Sequence, residues 1–313
     1  MHIYILSFLF LLTSIQFDSL DITPIAQVTI GDKRNDIHID DFQRGVYFTI
    51  DENECFWLSD YENRQIKAFN NKGKLLYIIN PENISASIEK LHIYDDYLIA
   101  LKSDGVLYFY NKYEGKLLAR KKLTVEHAIF NKAYFNGQYL FLPQFGSPFP
   151  NENLYEFLIE IKKPSEQTLS ISVDKLNLIM NAYNSDKKNN NYLPIEDSCY
   201  STLKDIFQLS FKGQSKDYIL IMNYSGPTKE EDGYYIFLKK NQLLKKIGKF
   251  PESITGIVDN SWWGEASVII GNHLYLMGVK YKDDNPKNIV ISKVSLSNIN
   301  KLTTVSVEEI LVK

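Results

Sequence analysis

Apolar positions in this chain recur with a period of two, in short runs cut off by turn residues. The stretch from Gly45 to Ile79 shows it most clearly. Gly45–Ile50 alternates and is rich in β-formers, and Asp51-Glu52-Asn53 interrupts it. Phe56–Ser59 is a second apolar run, ended by Asp60-Tyr61-Glu62-Asn63. Ile66–Phe69 is a third, ended by Asn70-Asn71-Lys72-Gly73, and Leu75–Ile79 begins a fourth. Four strands joined by three turns in about 40 residues is the unit of a β-propeller blade.

The unit recurs. Leu91–Leu118 repeats the rhythm, and Gly73-Lys74-Leu75-Leu76 returns as Gly115-Lys116-Leu117-Leu118, a period of 42 residues. A third unit starts near Phe130, with Asn136-Gly137 as a hairpin turn before Gln138–Leu142 and Leu154–Ile161. A fourth starts near Ile206 and holds Tyr218–Tyr224, Gly233–Leu238 and Leu243–Ile247. A fifth holds Ala266–Ile270, the turn Gly271-Asn272, His273–Val279 and Asn288–Val294. Asn-Gly and Gly-Asn suit hairpin turns because both residues tolerate positive φ.

Asp51, Trp57, Asp60, Asn63, Arg64, Ile66, Phe69 and Gly73 fall on the pattern of an NHL-type repeat, which this first unit resembles. Glu54 and Cys55 depart from it, where Gly-Asn is usual. The resemblance covers Gly45–Leu118; the remainder follows by strand rhythm. It implies a bacterial, secreted propeller of six four-stranded blades. It implies nothing specific about activity, because propellers host lyases, hydrolases and binding platforms alike.

Five units are visible, and residues 22–313 leave room for six at roughly 49 residues each. A sixth would have to come from Ser170–Lys204 plus two spare strands, Ile22–Ile30 and Thr304–Leu311. A five-bladed ring with an insertion around 173–204 is the competing count. Pairing one terminal strand into the blade at the other end would close the ring and remove exposed edges. The expectation is therefore one all-β domain over residues 18–313. Val173–Tyr183 is the one candidate helix.

Composition agrees. Hydrophobic residues make up 44% and aromatics 13%, enough for a large strand-built core. The net charge of −3, with both signs interspersed, gives no basic footprint for nucleic acid. Lys239-Lys240 and Lys245-Lys246 flank a strand turn. Ile3–Leu12 is apolar and uncharged and precedes Thr13-Ser14. That is too short to span a membrane and suits a signal peptide over residues 1–17, although the segment before it lacks Lys and Arg. No Cys follows it to carry a lipid anchor, so the expected product is secreted or periplasmic. Asn83-Ile84-Ser85 and Asn223-Tyr224-Ser225 are glycosylation sequons, meaningful only in a eukaryotic secretory route. Cys55 and Cys199 are the two cysteines; a disulfide between them is open to an exported chain, and neither has neighbours at zinc-ligand spacing.

Propeller topology puts the loops between second and third strands, and those between blades, on one face. Five second-to-third-strand loops result: Asp60–Arg64, Lys102–Gly105, Phe145–Asn153, Ser225–Asp232 and Tyr281–Lys287. The last three are long. Arg44, Glu89, Glu126, His127, Asp205 and Trp262-Trp263-Gly264-Glu265 join that face, with Tyr200 in the insertion Asn181–Thr202 beside it. Trp262 and Trp263 could stack a sugar while Glu265 accepts hydrogen bonds; packing between blades is their competing role. His127, next to Glu126, has the titration range of a general base, or is a polar residue at a junction. His38, His92 and His273 read as structural. Asp60 and Asn63 read as turn hydrogen-bonders, with Arg64 as an ion-pair partner.

Enzyme signatures do not occur: no Gly-x-Ser-x-Gly, P-loop, dinucleotide fingerprint or His-Glu-x-x-His. The reading is an exported, non-catalytic propeller that presents its loops to a protein or glycan, without metal or cofactor. The rival is a lyase or glycoside hydrolase with Glu126, His127 or Glu265 at the channel mouth. A hydrolase would need two carboxylates about 5 to 10 Å apart.

Overall fold

The computed structural model describes residues 22–38, 46–81, 87–123, 133–136, 139–142, 157–165, 168–175, 209–214, 218–223, 233–240, 243–250, 267–282, 285–297 and 309–311. The twenty-one elements among them are all strands, in five antiparallel sheets. The first sheet holds β2 (Phe48–Ile50), β3 (Phe56–Asp60), β4 (Gln65–Phe69) and β5 (Leu75–Ile79). The second holds β6 (Ile88–Tyr94), β7 (Tyr97–Lys102), β8 (Val106–Asn111) and β9 (Leu117–Lys122). The third runs β10 (Tyr134–Asn136), β11 (Tyr139–Leu142), β12 (Phe157–Ser165) and β13 (Thr168–Lys175). The fourth runs β14 (Leu209–Gln214), β15 (Tyr218–Asn223), β16 (Gly233–Lys240) and β17 (Leu243–Phe250), with β21 (Glu309–Leu311) on its outer edge. The fifth is β18 (Ser267–Ile270), β19 (His273–Lys282) and β20 (Asn285–Ser295), completed by the N-terminal strand β1 (Ile22–Thr29).

Both spare strands thus have places. β1 pairs antiparallel with β20, Val28 opposite Ile289. β21 instead lies on β17, Leu243 opposite Leu311. Neither is left to build a further sheet. Val173–Lys175 belongs to β13 rather than to a helix, because the Thr-Leu-Ser-Ile-Ser-Val alternation of this segment pairs with β12. Residues 176–208 lie outside the described residues.

Middle strands are buried on both faces and outer strands on one, which is why the sequence shows continuous apolar runs beside alternating ones. β3 is buried throughout, whereas β9 exposes alternate residues. Phe48, Phe56, Leu58 and Phe69 pack on Ala26, Val28, Met277, Ile289 and Ile291 of the fifth sheet. From the other face Trp57, Ile66, Ala68 and Ile79 pack on Leu91, Leu98, Ala100 and Tyr108 of the second. Ile99, Leu101 and Phe109 carry the contact on to Phe135, Leu140 and Leu142 of the third. Each such fully buried side chain contributes about 1.5–3 kcal/mol. That exceeds an exposed ion pair, so packing rather than charge sets the order of sheets. The inner strands β18, β2 and β6 are successive neighbours, and β14 lies beside β18.

The recurring glycine is a register device between sheets. Gly73 has φ +75°, and a Cβ there would stand 2.3 Å from the Gln27 carbonyl oxygen of β1. Gly115 has φ +69°, and a Cβ there would stand 2.8 Å from the Tyr77 ring of β5. In both cases the turn before an outer strand sits against the outer strand of the preceding sheet. Asx acceptors shape these turns. Asn70 Oδ1 accepts from the Lys72 and Lys74 amides, each at 3.0 Å, and Asn111 Oδ1 from Tyr113 at 2.9 Å and Glu114 at 3.1 Å.

Candidate functional site

Arg44, Glu126, His127, Tyr200, Trp262, Trp263 and Glu265 lie outside the described residues, as do Asp205 and the loops Phe145–Asn153 and Ser225–Asp232. Of the carboxylates expected at the mouth, Glu89 is described. It sits in β6, where Tyr47 Oη donates to Glu89 Oε2 at 3.0 Å and Ser87 Oγ to Glu89 Oε1 at 2.6 Å. Both carboxylate oxygens are thus engaged: Oε2 ties the first sheet to the second, and Oε1 is held locally by Ser87.

Among the described residues a concavity lies elsewhere on that loop face, between the first and fifth sheets. It is a groove of about 560 Å³. One wall is the segment after β1, Asp32, Lys33 and Arg34. The other is the outer half of the first sheet: Asn63, Gln65, Leu76, Ile78 and Asn80. Lys67 forms its floor.

Each wall is fixed by local chemistry. Ile37 returns its amide to the Thr29 carbonyl at 2.9 Å, and Gly31 donates to the Ile37 carbonyl at 3.1 Å. Asp36 Oδ2 accepts the Lys33 amide at 3.2 Å. This closed turn holds Lys33 and Arg34 out in solvent, and among the described residues neither is in an ion pair. Lys67 is 1% exposed; its ammonium lies 2.6 Å from Asp60 Oδ2 and donates to the Asp36 carbonyl. It joins the turn Asp60–Arg64 to the segment carrying the cations. Asp60 also accepts from Asn63 through its amide at 3.2 Å and through Nδ2 at 2.9 Å. Asp60 and Asn63 are therefore turn-formers as expected, but the cation on Asp60 is Lys67 rather than Arg64: Arg64 has φ +54° and projects into solvent. On the facing wall Gln65 Nε2 donates to Asn80 Oδ1 at 2.9 Å. Two exposed cations, a row of amides and an apolar strip from Leu76 and Ile78 can hold an anionic or hydrogen-bonding ligand.

No sequence motif marks this groove. Its signals were faint: Lys67 is a lone charge inside an apolar strand, and Lys33-Arg34 stand in an unpatterned segment.

On the opposite face the charged residues serve the framework. The turn between β2 and β3 reaches both neighbouring sheets. Lys112 lies 3.5 Å from Glu52 and 3.8 Å from Asp51. Burial pulls the Lys112 ammonium down, and the two carboxylates more than reverse it, so its pKa rises. Burial raises Asp51 in spite of the same pairing, so this contact does not recover the full cost of burying its carboxylate. Trp57 Nε1 donates to Tyr77 Oη at 2.9 Å, and Tyr77 Oη to the Lys112 carbonyl. Burial pushes the Tyr77 phenol up to about 12. Cys55 is free and half-buried, and burial raises its thiol. His92 stacks on Phe135 at 4.6 Å between centroids. His38, in the loop after β1, meets Asp32 at 3.0 Å, and His273 opens β19. Among the described residues no three His, Cys, Asp or Glu gather as a metal site, and no helix is long and apolar enough to cross a membrane.

No protein-family model and no curated protein matches the chain. Solved structures share its outline. A Bacteroides fragilis protein thought to be exported is 9% identical, with 89% of this chain and 97% of that one covered, at a TM-score of 0.43. A chain of the mitotic checkpoint complex is 11% identical, with 89% and 94% covered, at 0.46. The Pan2 WD40 domain of Neurospora crassa is 9% identical, with 88% and 96% covered, at 0.44. The β-propeller character of the chain rests on its sheet order and packing rather than on these likenesses.

Proposed function

We propose that this chain is an exported, non-catalytic β-propeller that presents its loop face to a protein or glycan. In this reading residues 1–17 are a cleaved leader and residues 18–313 one domain, with an irregular insertion around 173–204. The described strands favour five NHL-like blades, with β1 completing the last; the six-bladed count would need strands from the insertion. The observation that carries the binding function is the groove beside Lys33 and Arg34. Its cations and amides stand on a framework pinned by Lys67, the arrangement of a preformed recognition site rather than of a reacting centre. Glu89, by contrast, has both oxygens occupied.

The test is a binding screen of the purified full chain against glycan and acidic-peptide arrays, with product formation followed by mass spectrometry. Saturable binding without products, weakened by Arg34→Ala, is expected. Cleavage that disappears in Glu126→Gln or Glu265→Gln overturns the proposal in favour of a lyase or hydrolase at the mouth.

A further inference from the structure

The five sheets end in outer strands, and four of these are guarded against pairing with a foreign strand. β1 carries Pro24 and a register shift between Pro24 and Ala26. β9 exposes Arg120, Lys121 and Lys122. β13 ends in Asp174-Lys175. The edge of β17 is already covered by β21. β5, Leu-Leu-Tyr-Ile-Ile, carries no charge and no proline; its one irregularity is the register shift at Leu76, where Ala68 pairs with Tyr77 and Phe69 with Leu75. Natural sheets blunt their edges with charges, prolines and bulges, because a bare row of main-chain donors and acceptors recruits another strand.

That uncharged edge borders the groove. Leu76 and Ile78 face it, and Leu76 is 50% exposed. Tyr77 borders it too, although alternation turns its ring to the other side of the sheet, against the Gly115 turn. The groove therefore lies over the β4–β5 face and reaches the β5 edge. Lys33 and Arg34 overhang the same channel. The molecule already uses this mode once, since three residues of β21 suffice to extend the edge of β17.

We infer that the outer edge of β5 is a docking site for an extended acidic segment of a partner protein, which adds as a further strand and sets its carboxylates against Lys33 and Arg34. Main-chain hydrogen bonds to β5 supply affinity, Leu76 and Ile78 take alternate apolar side chains, and the cations select the charge. A second copy of this chain is a poorer occupant. Two β5 edges paired by a two-fold axis would bring two sets of Lys33 and Arg34 together, and like charges across an interface disfavour it. The inference deepens the binding function proposed above and rests on it.

The probe is a fluorescein-labelled eight-residue peptide alternating Val with Glu or Asp, titrated onto the full chain by fluorescence polarisation. The same peptide with Lys in place of the acids serves as control. Amide hydrogen exchange over Leu75–Ile79 is followed in parallel. The expected result is saturable binding of the acidic peptide only, slowed exchange at Leu75–Ile79, and a loss of roughly tenfold or more in affinity for Arg34→Glu. Leu76→Lys with Ile78→Lys, which copies the guard on β9, should abolish binding while leaving the melting curve in place. Binding without protection of β5 overturns the inference but leaves the general binding function standing. No binding of the acidic peptide, or a dimer in sedimentation that Leu76→Lys dissolves, also overturns it. Catalytic turnover of a glycan would instead remove the parent reading.

Discussion

Glu54 Oε1 lies 2.6 Å from Lys293 Nζ across 239 residues of chain. Glu54 stands where the NHL-type pattern has glycine, and the reason for glycine is plain: the residue adopts φ +60°. Here a glutamate accepts that backbone, at a cost of about 1–2 kcal/mol, and uses its side chain to hold the last sheet to the first. Tyr275 adds a second donor at 3.3 Å. Glu54→Ala keeps the backbone cost and loses the clasp, and should destabilise by about 1 kcal/mol. Glu54→Gly loses the clasp but relieves the backbone, and should lie close to the parent. Urea melts of the two variants decide it; an alanine variant more stable than the glycine variant would sink the account.

Three glycines with positive φ separate the backbone cost from the packing cost. At Gly271, φ is +54° and an added Cβ would meet nothing within 4 Å. Gly271→Ala should cost only the left-handed penalty, about 1 kcal/mol. Gly115→Ala adds a collision with the Tyr77 ring, which can shift. Gly73→Ala adds a collision with the Gln27 main chain, which cannot shift without moving β1, so it should cost the most, roughly 3 kcal/mol or more. Equal losses at all three positions, measured by calorimetry, would show that sheet-to-sheet registry plays no part.

The sequence carried the strands because alternation, Asx turns and glycine spacing are local signals. The turn roles of Asp60 and Asn63 were legible for the same reason. The partner of Asp60 was not: Arg64 is adjacent in sequence, but its left-handed backbone turns it outward, and Lys67 across the hairpin takes the contact. The destination of Thr304–Leu311 was equally hidden, since β17 and β20 offer similar edges to a short strand. The groove escaped notice because it arises between sheets, from Lys33 and Arg34 on one side and Leu76 and Ile78 on the other. No periodicity along one segment reports such a pairing.

The buried pair under the groove makes a sharp mutational prediction. Asp60 is 0% and Lys67 1% exposed, so removing one partner strands a charge. Lys67→Met should cost about 3–5 kcal/mol. Adding Asp60→Asn to it should recover part of that loss, because the stranded carboxylate becomes a neutral amide that still accepts from Asn63. If denaturant midpoints of the double variant fall below those of Lys67→Met, the pair is not what sets the cost.

Alkaline pH should weaken the contacts on the opposite face together. The Tyr77 phenol is raised from 10.0 to about 12, first by burial. Between those values the folded chain keeps a proton that the unfolded chain has released, so stability falls as pH rises across the window. Lys293, raised by its hydrogen bond to Glu54, and Lys112, raised on balance by Glu52 and Asp51, act in the same sense. Their contribution is fully present below the ordinary lysine value of 10.5 and is lost as pH climbs through the higher folded values. Tyr77→Phe should lower stability near neutrality by about 1 kcal/mol, through the lost bonds to Trp57 and the Lys112 carbonyl, and should flatten the decline above pH 10. Denaturation midpoints of parent and variant from pH 8 to 12 test this. Two curves that run parallel across the whole range would mean that the Tyr77 proton is not linked to folding.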